Sequence, residues 1–173
     1  MLGPVIPPPF QLRDVYPDDG EAYLHMRCDP VMMAELGGPQ PQDEVLDKLR
    51  RDVAAVAADQ WWIRMIERSG GTVAGTVMLW SHEVSGTAIS EIGWMVLPEH
   101  QGVGLASAAV RELLGEAARD GRWGNIHAFS GVTNVASNSL CRSVGFTLLE
   151  TTEIDFAARP GQTFAANHWV ITP

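Results

Sequence analysis

The sequence predicts an α/β fold of the α+β kind, a central mixed and mostly antiparallel sheet of about seven strands flanked by about four helices. Three observations predict it. Residues 91–118, EIGWMVLPEHQGVGLASAAVRELLGEAA, run from an apolar strand through a break at Pro98 and a glycine-spaced turn directly into a long helix. The elements before that strand-turn-helix unit read strand, helix, helix, strand, strand, and those after it strand, helix, strand, strand. Consecutive antiparallel strands of this kind do not belong to a doubly wound parallel sheet, whose strands alternate with helices throughout. At 173 residues and 46% hydrophobic, the chain can bury one sizeable core, so one domain over 1–173 is expected.

Each element has its own local reason. Residues 10–15 alternate briefly after Pro7, Pro8 and Pro9, which deliver the chain extended into an edge strand. Asp18 and Asp19 can cap a helix carrying Ala22, Leu24, His25 and Met26, and Pro30 ends or restarts it before 31–36. Gly37, Gly38 and Pro39 break the chain. A second helix enters at Pro41 or Asp43, carries Val45, Leu46, Leu49, Val53 and Val56 at helical spacing, and reaches about Ala58. In WWIRMIE, residues 61–67, Trp62, Arg64 and Ile66 alternate against Trp61, Ile63 and Met65. Ser69, Gly70 and Gly71 make a hairpin turn into a return strand over 72–80. A polar link over 81–87 leads to the strand 88–96. After the long helix come a strand over 125–131, a helix over 134–144, and strands over 147–157 and 164–172.

The glycine turn is a candidate diphosphate cradle. The first N–H groups of a helix lack intrahelical partners and carry the positive end of its dipole, so the main chain itself binds an anion there. Gly102 and Gly104 can take positive φ and admit a phosphate closely, and Ala106 is small. Leu105, Ala109, Leu113 and Ala117, with Val110 and Leu114, form the stripe that packs on a sheet, and Arg111 and Glu112 fall outside it. The turn lacks the lysine and hydroxyl of a nucleoside-triphosphate loop and the third glycine of a dinucleotide turn. The plain alternative is a helix start whose glycines only make the turn tight.

Gln101-Gly102-Val103-Gly104-Leu105-Ala106 resembles the Q/R-x-x-G-x-G/A coenzyme A loop of the GCN5-related N-acetyltransferases. Asn134, Ser137, Leu140, Gly145 and Phe146, in NVASNSLCRSVGF, resemble the N-x-x-S-x-x-V/L-x-x-x-G-F segment of the RimJ/RimL-like branch of that superfamily. The resemblance covers residues 91–146 firmly and the flanks loosely, with MRCDPVMMAELGG a weaker match to the branch's first helical region. It implies an acetyl-CoA-dependent transfer to a primary amine, with acetyl-CoA as co-substrate and the two N-terminal helices shaping one wall of the acceptor groove.

That transfer needs a neutral amine, a stabilised carbonyl oxygen and a protonated leaving thiolate. Glu91 is the lone carboxylate in an otherwise apolar strand, and in the resembled family a glutamate on this strand often acts as the general base. Pairing with a basic neighbour or simple solvation is its alternative. The resemblance puts a strand bulge at Met95 and Val96, where a backbone donor meets the oxyanion and free main-chain groups meet the pantetheine arm, although both residues also suit a core. Many members of the superfamily carry a tyrosine acid five residues before the phenylalanine of the G-F pair. Here Cys141 stands at that position, and the only tyrosines are Tyr16 and Tyr23. The branch offers a serine instead, matched by Ser137, as acid or sulfur-side donor, with Ser139 a poorer choice and a backbone-bonded hydroxyl the plain reading. Asn134 would bond a pantetheine amide or cap its helix. His82, His100 and His168 are weaker alternatives for the base. Of the six tryptophans, most belong in the core and one or two in an acceptor pocket.

A formal charge of −9 with no basic cluster argues against nucleic acid as a partner. No run reaches membrane-span length, and MLGPVIPPPF lacks the basic start of an export signal. Cys28 and Cys141 make no metal spacing with the five histidines, so no metal and a cytoplasmic, reduced protein are expected. A homodimer is compatible with this reading. The acceptor walls, 27–41, 81–87 and 159–163, carry Asp29, Glu35 and Glu83 against Arg27 and Arg159. So slight an acidic excess suits an amine with one charge, such as a peptide N-terminus, better than a polycationic aminoglycoside. Polyamines and amino acids are the remaining small-molecule classes, and a non-catalytic acyl-CoA-binding module, which the missing tyrosine keeps open, is the alternative to an enzyme.

Overall fold

A computed structural model of the protein describes residues 7–84, 86–156 and 159–173. Its elements follow the expected order: β1 Phe10–Asp14, α1 Gly20–Arg27, α2 Gln42–Ala57, β2 Trp62–Arg68, β3 Val73–Val84 and β4 Thr87–Val96. Then come α3 Leu105–Asp120, β5 Ile126–Gly131, α4 Val135–Val144, β6 Thr147–Phe156 and β7 Arg159–Ile171. The seven strands form one sheet in the order β1-β2-β3-β4-β5-β7-β6. Every neighbouring pair is antiparallel except β4 and β5.

Strand alternation divides the core between the two faces of this sheet. Trp62, Ile66, Ile92 and Val96 lie under α3 with Leu105, Ala109, Val110, Leu113, Leu114 and Ala117. Ile63, Met65, Met95 and Leu97 turn the other way, onto α1 and α2 with Tyr23, Met26, Val45 and Leu49. Each fully buried Leu, Ile or Met contributes about 2 kcal/mol by leaving water, which is why the two periodicities hold so closely. The helix stripe read from residues 105–117 is buried throughout, with Arg111 and Glu112 exposed.

Several boundaries differ from expectation. The polar segment 81–87 is not a link: β3 continues to Val84 and β4 begins at Thr87, with ladder pairs out to Val84↔Thr87. Backbone pairing at a hairpin tip needs no apolar side chains, so a hydrophobicity reading stops short of it. Residues 159–163 likewise belong to β7, and residues 157–158 fall outside the described residues. Of 31–36, only Ala34–Leu36 forms a short 3-10 turn, ended by Gly37 at φ 91°. Asp19 stands at the start of α1 without capping it. Its carboxylate accepts from the Tyr16 amide at 2.7 Å and pairs with Arg13 at 2.7 Å, a pairing that holds the arginine's pKa above its usual value.

Candidate active site

The turn before α3 is built as the sequence implies. Gly102 and Gly104 have φ of 75° and 76°, the left-handed region, and a Cβ at Gly102 would meet nothing within 4 Å. The first main-chain bond of the helix runs from the Ala108 amide to the Gly104 carbonyl at 3.1 Å. Among the described residues, no hydrogen bond uses the amides of 102–107, and the first turn of α3 holds no acidic side chain. Those amides form a concavity of free donors at the positive end of a helix dipole, suited to a diphosphate. Gln101 stabilises the turn from outside. Its Nε2 donates to the Val96 carbonyl at 2.7 Å, tying the loop to the end of β4.

Beside this cradle the sheet opens. The parallel pairing of β4 with β5 is confined to Ser90↔Ile126 and Glu91↔His127. On its other edge β4 stays paired to β3 as far as Gly75↔Val96, with no register shift. The bulge expected at Met95 and Val96 is therefore absent from the β3 ladder, and the opening arises because β5 leaves. Both side chains are buried, as core residues are. Gly75 permits the tight pairing there, since a Cβ on it would lie 2.1 Å from the Met95 carbonyl oxygen.

Glu91 sits at this fork and lines a small open cleft of about 170 Å³ with Arg27, Gln40, Phe129, Phe156 and Phe164. Its Oε2 lies 2.6 Å from Nε2 of His82. That hydrogen bond raises the pKa of His82, outweighing the opposing effect of burial. Across β5, Nδ1 of His127 meets Nε2 of His168 at 2.7 Å, and Glu150 stands 3.7 Å from Nδ1 of His168. Burial, then the neighbouring His168 and His82, pushes the pKa of His127 down. Glu91 and His127 are register partners, so the carboxylate and both histidine pairs share one face of the sheet at the fork. His100, by contrast, lies in the 3-10 turn Pro98–His100, ahead of the cradle.

On the α4 side, Asn134 Oδ1 accepts the Ser137 amide at 3.1 Å and so caps the helix. The Ser137 hydroxyl makes no hydrogen bond among the described residues and is half-buried; Ser139 is exposed. Asn138, which the sequence reading passed over, binds this corner together. Its Nδ2 donates to the Gly131 and Asn134 carbonyls at 2.9 and 2.8 Å, and its Oδ1 accepts from Asn167 and Trp169 at 2.9 and 3.1 Å. An amide placed between Leu140 and the cap was the available signal. Cys141 is fully buried, and burial pushes its thiol up to about 12, which makes it a poor proton donor to a thiolate. Trp62, Trp123 and Trp169 are core residues, while half-buried Trp80 packs against Gly93 on the Glu91 face. Among the described residues no cluster of His, Cys, Asp and Glu could hold a metal, and no helix is long and apolar enough to cross a membrane.

The family profile of the acetyltransferase (GNAT) domain matches residues 10–147. No curated protein sequence matches the chain. Among solved structures, an acetyltransferase from Salmonella typhimurium that modifies the N-terminal serine of ribosomal protein L7/L12 is 20% identical, with TM-score 0.78 and 98% of each chain covered. A spermidine N-acetyltransferase from Vibrio cholerae, in complex with CoA and spermine, is 18% identical, with TM-score 0.77 and coverage of 94% of this chain and 95% of that one. A GNAT-family acetyltransferase from Bacillus anthracis gives 17%, 0.78 and 97% of each chain. At such identities the likeness shows the fold, and the profile match over most of the chain shows the family. The glycine turn at the start of α3, the fork between β4 and β5 and the profile match agree: this chain belongs to the GNAT family of N-acetyltransferases.

Proposed function

We propose that this protein, as a single domain over residues 1–173, transfers acetyl from acetyl-CoA to a primary amine with one positive charge, a protein or peptide N-terminus foremost. The observation that carries the reading is the run of amides 102–107 without acceptors at the start of α3, beside a strand edge that β5 leaves uncovered. In this reading Gly102, Val103, Gly104, Leu105 and Ala106 hold the diphosphate through main-chain N–H groups, and Gln101, its amide on the Pro98 carbonyl and its side chain on that of Val96, fixes the turn that presents them. Acetyl-CoA, when bound, supplies the thioester. Main-chain groups of Met95 and Val96 bond the pantetheine arm and the carbonyl oxygen, and Asn134 sits beside the arm while capping α4.

Glu91, coupled to His82, accepts the proton of the attacking ammonium directly or through a water, which is the step that makes the amine nucleophilic. The unpartnered hydroxyl of Ser137 donates toward the departing sulfur. Calorimetry with coenzyme A and release of free thiol in the presence of an amine panel test this together. Micromolar coenzyme binding by the wild type, lost on the order of a hundredfold in Gly104→Asp, with amine-dependent thiol release, is the expected result. No binding would sink the reading. Binding without thiol release for any amine would leave a coenzyme-binding module in its place.

A further inference from the structure

Arg27 is the last residue of α1 and is among the residues that line the cleft containing Glu91. Its Nε is out of contact with solvent and has no hydrogen-bond partner. Among the described residues, its guanidinium makes no ion pair either. The carboxylate that acts on it through space, Asp52, is already committed. Asp52 accepts from the Tyr23 hydroxyl at 2.7 Å and from Lys48 Nζ at 2.9 and 2.8 Å, one through each oxygen. Asp155, also on the lining of the cleft, is exposed and makes no ion pair with Arg27, and two acidic groups of the walls are committed elsewhere. Asp29 accepts the amides of Val31 and Met32, both at 2.8 Å, and Glu35 accepts from the Thr133 hydroxyl at 2.8 Å. Burial lowers the pKa of Arg27, with Tyr23 and Asp52 opposing it, yet an arginine keeps its proton at neutral pH. A cation with a desolvated, unpartnered N–H is costly to hold in a folded protein unless an anion completes it.

The rest of the cleft indicates what carries that anion. Phe156 and Phe164 stack at 4.3 Å and Phe129 stacks on His168 at 4.4 Å, giving an apolar wall. Glu91, on the same lining, is suited to the ammonium. We propose that the acceptor is an amine that also bears a carboxylate, which forms a paired hydrogen bond with Arg27 while an apolar portion rests on the phenylalanines. The carboxylate belongs either to a free apolar α-amino acid or to an acidic residue near a peptide N-terminus. This inference rests on the acetyl-transfer reading for the role of the amine, but the arginine site stands on its own geometry.

Calorimetry with the full-length protein saturated with coenzyme A reads Arg27 directly, using N-acetyl-L-phenylalanine and its carboxamide as probes. The acid should bind the wild type about tenfold or more tightly than the amide, and Arg27→Gln should erase that difference. Arg27→Lys should keep part of it, and its thermal melt reports whether loss of binding is loss of fold. Equal affinities of acid and amide for the wild type, or no measurable binding of the acid, overturn the proposal. Thiol release with L-phenylalanine and with peptides carrying Glu or Gln at the second position identifies the source of the carboxylate. Preference for the acid in binding, without acetyl transfer to any amine, would defeat the transfer reading while leaving the arginine site in place.

Discussion

Glu91 Oε2 and His82 Nε2 meet at 2.6 Å across the β3–β4 hairpin, in which Glu91 faces Trp80 and His82 faces Ile89. The contact is diagonal, reached by two side chains leaning toward each other on the acceptor face of the sheet. A proton in this pair belongs to both groups, so activity should report the pair rather than either residue. Glu91→Gln should lower kcat on the order of a hundredfold while coenzyme binding is kept. His82→Gln should shift the acid limb of the kcat/KM profile downward, because the imidazole whose pKa the contact raises no longer holds the shared proton. A pH-rate series on both variants checks this, and superimposable profiles for wild type and His82→Gln would remove His82 from the site.

The two histidines nearest the fork should respond to pH with opposite sign. His82 has a raised pKa in the fold, so the stability it contributes is complete below the unfolded value of about 6.5 and fades as pH rises through the raised pKa. His127 has a lowered pKa, so its contribution is present above about 6.5 and fades as pH falls through the lowered value. Imidazole proton shifts followed by NMR should therefore place His82 above and His127 below the free value. Titration in the reverse order would contradict the geometry of both pairs.

Asn138 should be the most sensitive polar position. Replacing it by alanine leaves the Asn167 amide and the Trp169 indole N–H without their shared acceptor, while the Asn134 and Gly131 carbonyls each lose one donor and keep a main-chain one, from the amides of residues 138 and 134. A loss of roughly 2–4 kcal/mol in denaturant unfolding is expected, and coenzyme affinity should weaken with it because the Asn134 cap rests on this amide. A change below about 0.5 kcal/mol would show that water replaces the side chain without cost.

Cys141 should matter to packing alone. Its thiol is fully buried and held at about 12, so Cys141→Ala should leave kcat unchanged and cost about 1 kcal/mol, a melting shift of about 2–4 °C. Loss of turnover at unchanged stability would instead assign the thiol to the leaving group.

Local rules made the cradle legible in the sequence. A left-handed turn at Gly102 and Gly104, the four-residue stripe of α3 and the two-residue alternation of β2 each depend on residues a few positions apart, and each stands where the sequence places it. The order of strands and helices was readable for the same reason. What tertiary structure alone decided is which distant side chains meet. Pairing β3 with β4 as far as Val84 brings His82 to Glu91, and the parallel start of β5 brings His127 beside them. The antiparallel β7 then sets His168 against His127, and the corner of α1 carries Arg27 into the same cleft. Gln101 turned toward the Val96 carbonyl, and Met95 and Val96 stayed in register while β5 departed. Strand register and the point at which two strands part are set by packing summed over both faces of the sheet. A count of charges along the acceptor walls could not reveal that the Nε of Arg27, among them, would find no partner among the described residues.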